Sequence, residues 1–248
     1  LFILGMRTAS LFNQKIKKGI QGRKNWTKSL NDIPKDANVI WFHCASLGEF
    51  DQGLPVMTAL KQNTPNPYIL VTFFSPSGIG HYQKREHPVD KTLYLPFDTK
   101  RNARTFLKKA NPSLALFVKY EFWPNFISEC KRAKVSIISI STLLRNKQIY
   151  FKWYGGFFAN VLKSIDHFFV QNVQTKELLD SIGVNQIEIT GDTRYDKVIQ
   201  HKKSSTSTDS VLSQFATEGP ILIAGSSWEV EEKIIKKYLE SNANTKVI

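Results

Sequence analysis

The sequence predicts an α/β protein built on a doubly wound parallel sheet, and three observations carry that expectation. From Asn38 onward, short β-rich runs alternate with helical stretches. Most of those runs are apolar throughout rather than alternating, as strands covered on both faces are. No internal repeat of 20–50 residues is visible, which excludes solenoids and propellers.

The elements follow in order. Residues 1–36 hold Leu1, Leu4, Leu11, Phe12, Ile16 and Ile20 at spacings that share one helical face. The same segment carries eight basic residues against Asp32 and Asp36, a net +6. Its apolar run is far shorter than the roughly 20 residues of a membrane span, and it lacks the small-residue cleavage site of a secretory signal. It reads either as a basic amphipathic helix on an anionic membrane surface or as an ordinary surface helix of its own domain. The absence of an initiator Met points to a trimmed N-terminus. Strands are expected at Val39–Phe42, Tyr68–Phe74, Thr92–Leu95, Leu114–Val118, Val135–Ile140, His167–Val170, Ile187–Ile189 and Ile221–Ala224. Helices are expected at Glu49–Gln62, Gly78–Arg85, Thr99–Lys109, Pro124–Ala133, Gln148–Lys163 and Gln174–Ser181.

One polar stretch, His201–Ser213, interrupts this alternation before a new strand signal at Pro220–Ala224 and a helix near Trp228. The expected organisation is therefore a basic segment at 1–36, an α/β domain at 37–200, a linker at 201–214, and the start of a second α/β domain at 215–248. A single βα unit cannot bury its own apolar face, so the second domain reads as cut short.

Composition narrows the classes of partner. With 42% apolar residues in 248, the chain is an ordinary globular protein rather than a disordered one. Two cysteines, Cys44 and Cys130, exclude a disulfide framework and a Cys-rich zinc site, and fit reduced thiols. The 34 Lys and Arg against 21 Asp and Glu give +13, which implies an anionic partner: nucleic acid, anionic lipid or a phosphorylated substrate.

In open α/β sheets, ligands bind beyond the carboxyl ends of the strands. The first such turn, His43-Cys44-Ala45-Ser46-Leu47-Gly48-Glu49, puts a carboxylate at the start of a helix. Glu49 is there either as a general base or as a helix-dipole residue with no catalytic duty. Ser75-Pro76-Ser77-Gly78 is either an anion site at a helix start or a plain turn. Lys119-Tyr120-Glu121-Phe122-Trp123-Pro124-Asn125 brings an acid, a base and aromatic faces to a strand end, where they either hold a sugar or fill a packing gap. The five histidines are scattered singly, so no metal is expected. Complete GxGxxG, P-loop and GxSxG motifs are absent.

Taken together, WFHCASLGEF (41–50), LVTFFSPSG (70–78), LYLPFD (93–98), KYEFWPN (119–125), STLLR (141–145), FFVQ (168–171) and GDTRYD (191–196) resemble the Kdo transferases, the 3-deoxy-D-manno-octulosonic acid transferases of lipopolysaccharide inner-core assembly, in a Bacteroidetes-like variant. GSSWEVEE (225–232) resembles the opening of that family's second domain. The resemblance implies a GT-B architecture of two Rossmann-like domains, the second truncated here, with a membrane-associated N-terminal segment at the cytoplasmic face of the bacterial inner membrane. It implies transfer of Kdo from CMP-Kdo to the lipid A precursor (lipid IVA), with inversion and without a metal or other cofactor. Glu49 falls on the family's catalytic glutamate and Glu121 on its second acidic motif. Lys119 stands where many members carry an acid and is placed with the substrate-binding set, alongside Ser46, Gly48, Ser75, Gly78, Arg145 and Arg194 as cleft-lining residues. The donor nucleotide in such enzymes is held largely by the second domain, so this chain alone is expected to bind acceptor and to transfer Kdo poorly or not at all.

Two other classes compete. A nucleotide-dependent dehydrogenase would show a complete glycine fingerprint, which is missing. A non-catalytic basic α/β module for anionic lipid or nucleic acid would account for the charge. A nucleic-acid surface, however, wants basic residues interleaved with aromatics on one face, whereas nearly half the excess lies in residues 1–36.

Overall fold

The computed structural model describes residues 2–204 and 219–248. Seven apolar runs pair into one sheet: β1 (Asn38–Cys44), β2 (Pro67–Phe73), β3 (Lys91–Tyr94), β4 (Pro112–Val118), β5 (Ser136–Thr142), β6 (His167–Val170) and β7 (Ile187–Ile189). Their order is β3-β2-β1-β4-β5-β6-β7, and every neighbouring pair is parallel. Consecutive strand residues point to opposite faces, so Trp41 enters one core with Leu70, Phe106, Phe117 and Phe126, while Phe42 enters the other with Phe50, Met57, Val71 and Phe73. Two-sided burial is the physical reason the strands read as continuously apolar.

The crossovers are helical: α1 (Phe2–Ala9), α2 (Gln14–Gly22) and α3 (Trp26–Ser29) precede the sheet, and α4 (Leu47–Asn63), α5 (Pro76–His81), α6 (Lys100–Ala110), α7 (Pro124–Arg132), α8 (Gly156–Lys163), α9 (Val173–Ser181) and α10 (Arg194–Ser204) follow strands. Capping side chains start several of them: Asn13 accepts from the Lys15 and Ile16 amides, Thr99 from Asn102 and Asn172 from Thr175.

Three expectations change. The N-terminal segment is not one helix, because the cap at Asn13 begins a second one. From α2 onward that segment belongs to the domain itself. Gly19, Arg23, Leu30 and Ile33 are buried, and Arg23 donates to the carbonyls of Gly19, Phe74 and Leu95 at 2.8 Å each, beneath the rings of Phe74, Tyr94 and Phe97. The helix expected at Gln148–Lys163 is split into a single 3-10 turn at Ile149–Phe151 and α8. The chain folds tightly between them, and a Cβ at Gly155 would lie 1.8 Å from the Ile149 carbonyl oxygen. The helix expected at Gly78–Arg85 begins earlier, at Pro76, and gives way to a 3-10 turn at Tyr82–Lys84.

The chain divides into two units, Leu1–Lys197 and Val198–Ile248. The first contains the basic segment as well as the sheet. α10 runs through the boundary expected at residue 200, so the first residues of the expected linker are helical; residues 205–214 of that linker lie outside the described residues. Within the second unit, β8 (Ile221–Leu222), α11 (Glu229–Ser241) and β9 (Lys246–Val247) form a parallel β-α-β unit. Val230, Ile234 and Tyr238 make an exposed stripe along α11. Among the described residues, no helix is long and apolar enough to cross a membrane.

Candidate active site

The order of the sheet reverses between β1 and β4, and that switch point is where a crevice opens at the carboxyl ends of the strands. Glu49 follows β1 and Glu121 follows β4, so the two acids singled out from sequence flank this crevice.

Glu49 occupies the first turn of α4, and its Oε2 accepts from the Ser46 amide at 3.1 Å. The helix-capping reading is therefore correct, yet it is not the whole account. The side chain is only 5% exposed, and burial, with the nearby negative charge of Glu121 second, pushes its pKa from 4.5 up to about 7. The amides of Ser46 and Ala45 and the cation of Lys119 oppose that rise without cancelling it. A carboxylate poised near neutrality beside a second acid is the setting a general base requires.

Glu121 is half-buried, and burial raises its pKa as well. It lines an open recess of about 320 Å³ together with Tyr120, Trp123, Gln148 and Tyr150. Tyr150, which the sequence did not single out, is pushed up to about 12 by burial and by Glu121, so it stays a neutral donor. The turn that presents Glu121 starts at Lys119, whose φ of +75° is unusual for a residue with a Cβ, and is tied down by the Lys119 amide on the Ile140 carbonyl at 2.9 Å. Asp98, in the loop after β3, receives the amides of Asn125 and Phe126 and so fixes the start of α7 just past this turn.

Behind Trp123 runs a buried hydrogen-bond chain. The Trp123 indole donates to His43 Nε2 at 2.9 Å, and His43 Nδ1 lies 3.0 Å from the Thr72 hydroxyl, which also accepts from the Trp41 indole. An indole N–H can only donate, so His43 carries its proton on Nδ1. Burial drives its pKa down to about 3, which keeps the ring neutral. His43 is thus a structural group that orients Trp123.

The remaining sequence-derived residues fall into place as follows. Ser46 caps α4, and Gly48 is exposed in its first turn. The Ser75 amide donates to the Ala45 carbonyl at 2.8 Å, bringing the turns after β1 and β2 together. Gly78 is buried under Phe73, with a hypothetical Cβ 2.2 Å from the ring, which makes it a close-packing position. Arg145 is exposed in the loop after β5, and its amide donates at 2.8 Å to Gln148, which lines the recess with Glu121. Arg194 pairs with Asp192 at 2.8 Å. Asp192 in turn receives Gln52 Nε2 at 3.2 Å, and the Thr193 hydroxyl donates to the Gln52 carbonyl at 2.6 Å. Gln52 lies one turn beyond Glu49. Ser141, at a φ of +51° where β5 shifts register, brings its hydroxyl within 3.3 Å of Thr193 and Gln171. Among the described residues, no three His, Cys, Asp or Glu side chains gather to hold a metal.

The family model described as 3-deoxy-D-manno-octulosonic-acid transferase (kdotransferase) matches residues 18–197, most of the chain. The chain belongs to this Kdo transferase family. Among curated relatives, the transferase of Chlamydophila psittaci is 27% identical over 94% of this chain and 56% of its own length. That of Chlamydia pneumoniae is 28% identical over 83% and 50%. The chain thus spans about half the length of the Kdo transferases it matches. Among solved structures, the UDP-GlcNAc 2-epimerase of Neisseria meningitidis superposes with a TM-score of 0.61 at 14% identity, over 84% of this chain and 63% of that one. A putative UDP-N-acetylglucosamine 2-epimerase of Listeria monocytogenes gives 0.60 at 14% identity, over 85% and 62%. Those likenesses show the fold, a Rossmann-like domain of GT-B type.

Proposed function

We propose that this chain supplies the acceptor side of an inverting transferase, which moves Kdo from CMP-Kdo to a hydroxyl of the lipid A precursor, lipid IVA, in lipopolysaccharide synthesis. Glu49 takes the proton of the attacking hydroxyl as that oxygen bonds to the anomeric carbon and CMP leaves with the bonding electron pair. The observation that carries this reading is a buried carboxylate with a pKa near 7 at the topological switch point, beside a second acid. Departing CMP requires no proton, so one base suffices, unlike the acid and base pair of a hydrolase. No metal or other cofactor takes part. Lys119 and the basic N-terminal segment attract the acceptor phosphates, and the segment rests on the anionic cytoplasmic leaflet of the inner membrane. Ser46, Gly48, Ser75, Gly78, Arg145 and Arg194 remain cleft-lining proposals carried over from the family's motifs.

The test is Kdo transfer to the lipid A precursor by the full-length enzyme, this chain with its donor-binding domain, with Glu49→Gln and Glu121→Gln in parallel. Loss of about 100-fold or more in kcat for Glu49→Gln, with acceptor affinity kept, supports the assignment. A second reading is favoured by one observation: Glu121, not Glu49, lines the open recess. Larger loss of kcat in Glu121→Gln would hand it the role of base.

A further inference from the structure

The loop between β5 and α8 and the first turn of α8 hold aromatics that the site does not use. Within it, Tyr150 and Phe151 turn inward and pack against the core, Tyr150 edge-on to Phe122 at 6.1 Å. Trp153, Tyr154 and Phe157 do the opposite: they are 94%, 61% and 65% exposed. Single exposed apolar residues are unremarkable, but three large aromatics within five residues form a patch that needs a reason.

The backbone holds this patch outward. The Phe151 amide bonds the Gln148 carbonyl, Lys152 bonds Ile149, and Gly155 bonds Lys152 at 2.8 Å. Only glycine fits at position 155, given the 1.8 Å approach to Ile149. Trp153 and Tyr154 stand edge to face, 5.5 Å apart. The segment itself carries charge of one sign: residues 145–163 contain Arg145, Lys147, Lys152 and Lys163 and no acid, while Asp166 and, on α9, Glu177 and Asp180 follow it in sequence.

We propose that Trp153, Tyr154 and Phe157 seat in the headgroup region of an anionic bilayer, with the flanking cations on lipid phosphates. Trp and Tyr with adjacent Lys and Arg are the composition of a membrane–water interface. Protein–protein interface cores are depleted of Lys, and a two-fold contact with a second copy would set this cationic patch against itself. Position adds to the composition. The loop leaves the carboxyl end of β5 and shares Tyr150 with the recess at Glu121. At the other flank of that edge, Arg23 ties the end of α2 to the carbonyls of Phe74 and Leu95, just past β2 and β3. Leu11 and Phe12, before α2, are 78% and 91% exposed. A bilayer engaged by this loop lies beside the recess that holds Glu121, so a lipid acceptor reaches that acid without leaving the membrane. This rests on the membrane part of the function proposed above and not on the chemistry of transfer.

Both native cysteines are fully buried, so an introduced surface thiol takes an environment-sensitive fluorophore selectively. Labels at Trp153→Cys, Phe12→Cys and, at the opposite edge of the sheet, Lys108→Cys are mixed with phosphatidylcholine vesicles with and without phosphatidylglycerol. Expected are a blue shift and an intensity rise at 153 and 12 with anionic vesicles, and no change at 108. Replacing Trp153, Tyr154 and Phe157 together by Ser should weaken vesicle partitioning about tenfold or more. A response at 12 alone overturns this proposal and leaves the N-terminal membrane contact standing; silence at both overturns both. A response at 153 that follows protein concentration without vesicles means a second copy covers the patch, and also overturns it.

Discussion

Glu49 makes a prediction that needs no substrate. An acid whose pKa is higher in the folded state holds its proton there over a pH range in which the unfolded chain has already lost it. Between 4.5 and about 7 the folded protein binds more protons than the unfolded one, so stability falls as pH rises through this window. The full cost is present above pH 7 and is absent well below 4.5. At about 1.36 kcal/mol per pH unit, the gap between 4.5 and about 7 amounts to roughly 3 kcal/mol. Glu49→Gln removes the charge and keeps an oxygen to accept from the Ser46 amide. Urea unfolding followed by tryptophan fluorescence should therefore find the variant gaining on the wild type by about 2–3 kcal/mol between pH 5 and pH 8. The largest gain lies on the alkaline side. A stability difference that does not change with pH would refute the account of Glu49 as a buried, ionising carboxylate.

Glu121→Gln removes the negative charge that helps to raise Glu49, so the rising limb of the kcat–pH profile should move to lower pH; an unmoved limb would separate the two acids. Arg23→Met should cost about 2–4 kcal/mol in chemical denaturation, because it strips charged donors from two buried carbonyls and a partly buried third. Trp123→Phe leaves His43 Nε2 without its donor and should cost about 1–3 kcal/mol, a loss unchanged between pH 5 and 8 because His43 is neutral throughout. Gly78→Ala drives a Cβ to 2.2 Å from the Phe73 ring and should destabilise by about 1–3 kcal/mol in thermal unfolding, whether or not substrate is present.

The sheet was legible because both its faces are covered. Each expected strand from Val39–Phe42 to Ile187–Ile189 overlaps an observed one; a continuous apolar run leaves little else for the central strands to do, while the edge strand Ile187–Ile189 carries Glu188 and is largely exposed. The helix breaks were harder. Asn13 and the Gly155-Gly156 pair are visible in the sequence, but the apolar period runs across both and masks them. At the site, Glu49 and Glu121 could be found because each sits a few residues past a strand. The tautomer of His43, the role of Tyr150 and the gathering of Gln52, Ser141, Gln171 and Thr193 had no local signal. Those contacts join residues tens of positions apart, and Ser141 lies just past the expected strand Val135–Ile140, where nothing in the sequence marks its positive φ.

One set of these contacts bears on the order of assembly. The helix that carries Glu49 is complete by Asn63, yet Asp51 and Gln52 beside that acid are held by residues 192–197: Thr193 on the Gln52 carbonyl, Asp192 on the Gln52 side-chain amide, and Lys197 on Asp51 at 3.0 Å. Such pairings close loops of about 140 residues, the slowest kind of contact to form. These contacts on Asp51 and Gln52 therefore require the chain after the last strand of the sheet to be in place. The proposed base thus takes its own bond from Ser46 within a few residues, whereas the helix behind it is clamped by a segment on the far side of the whole sheet in sequence.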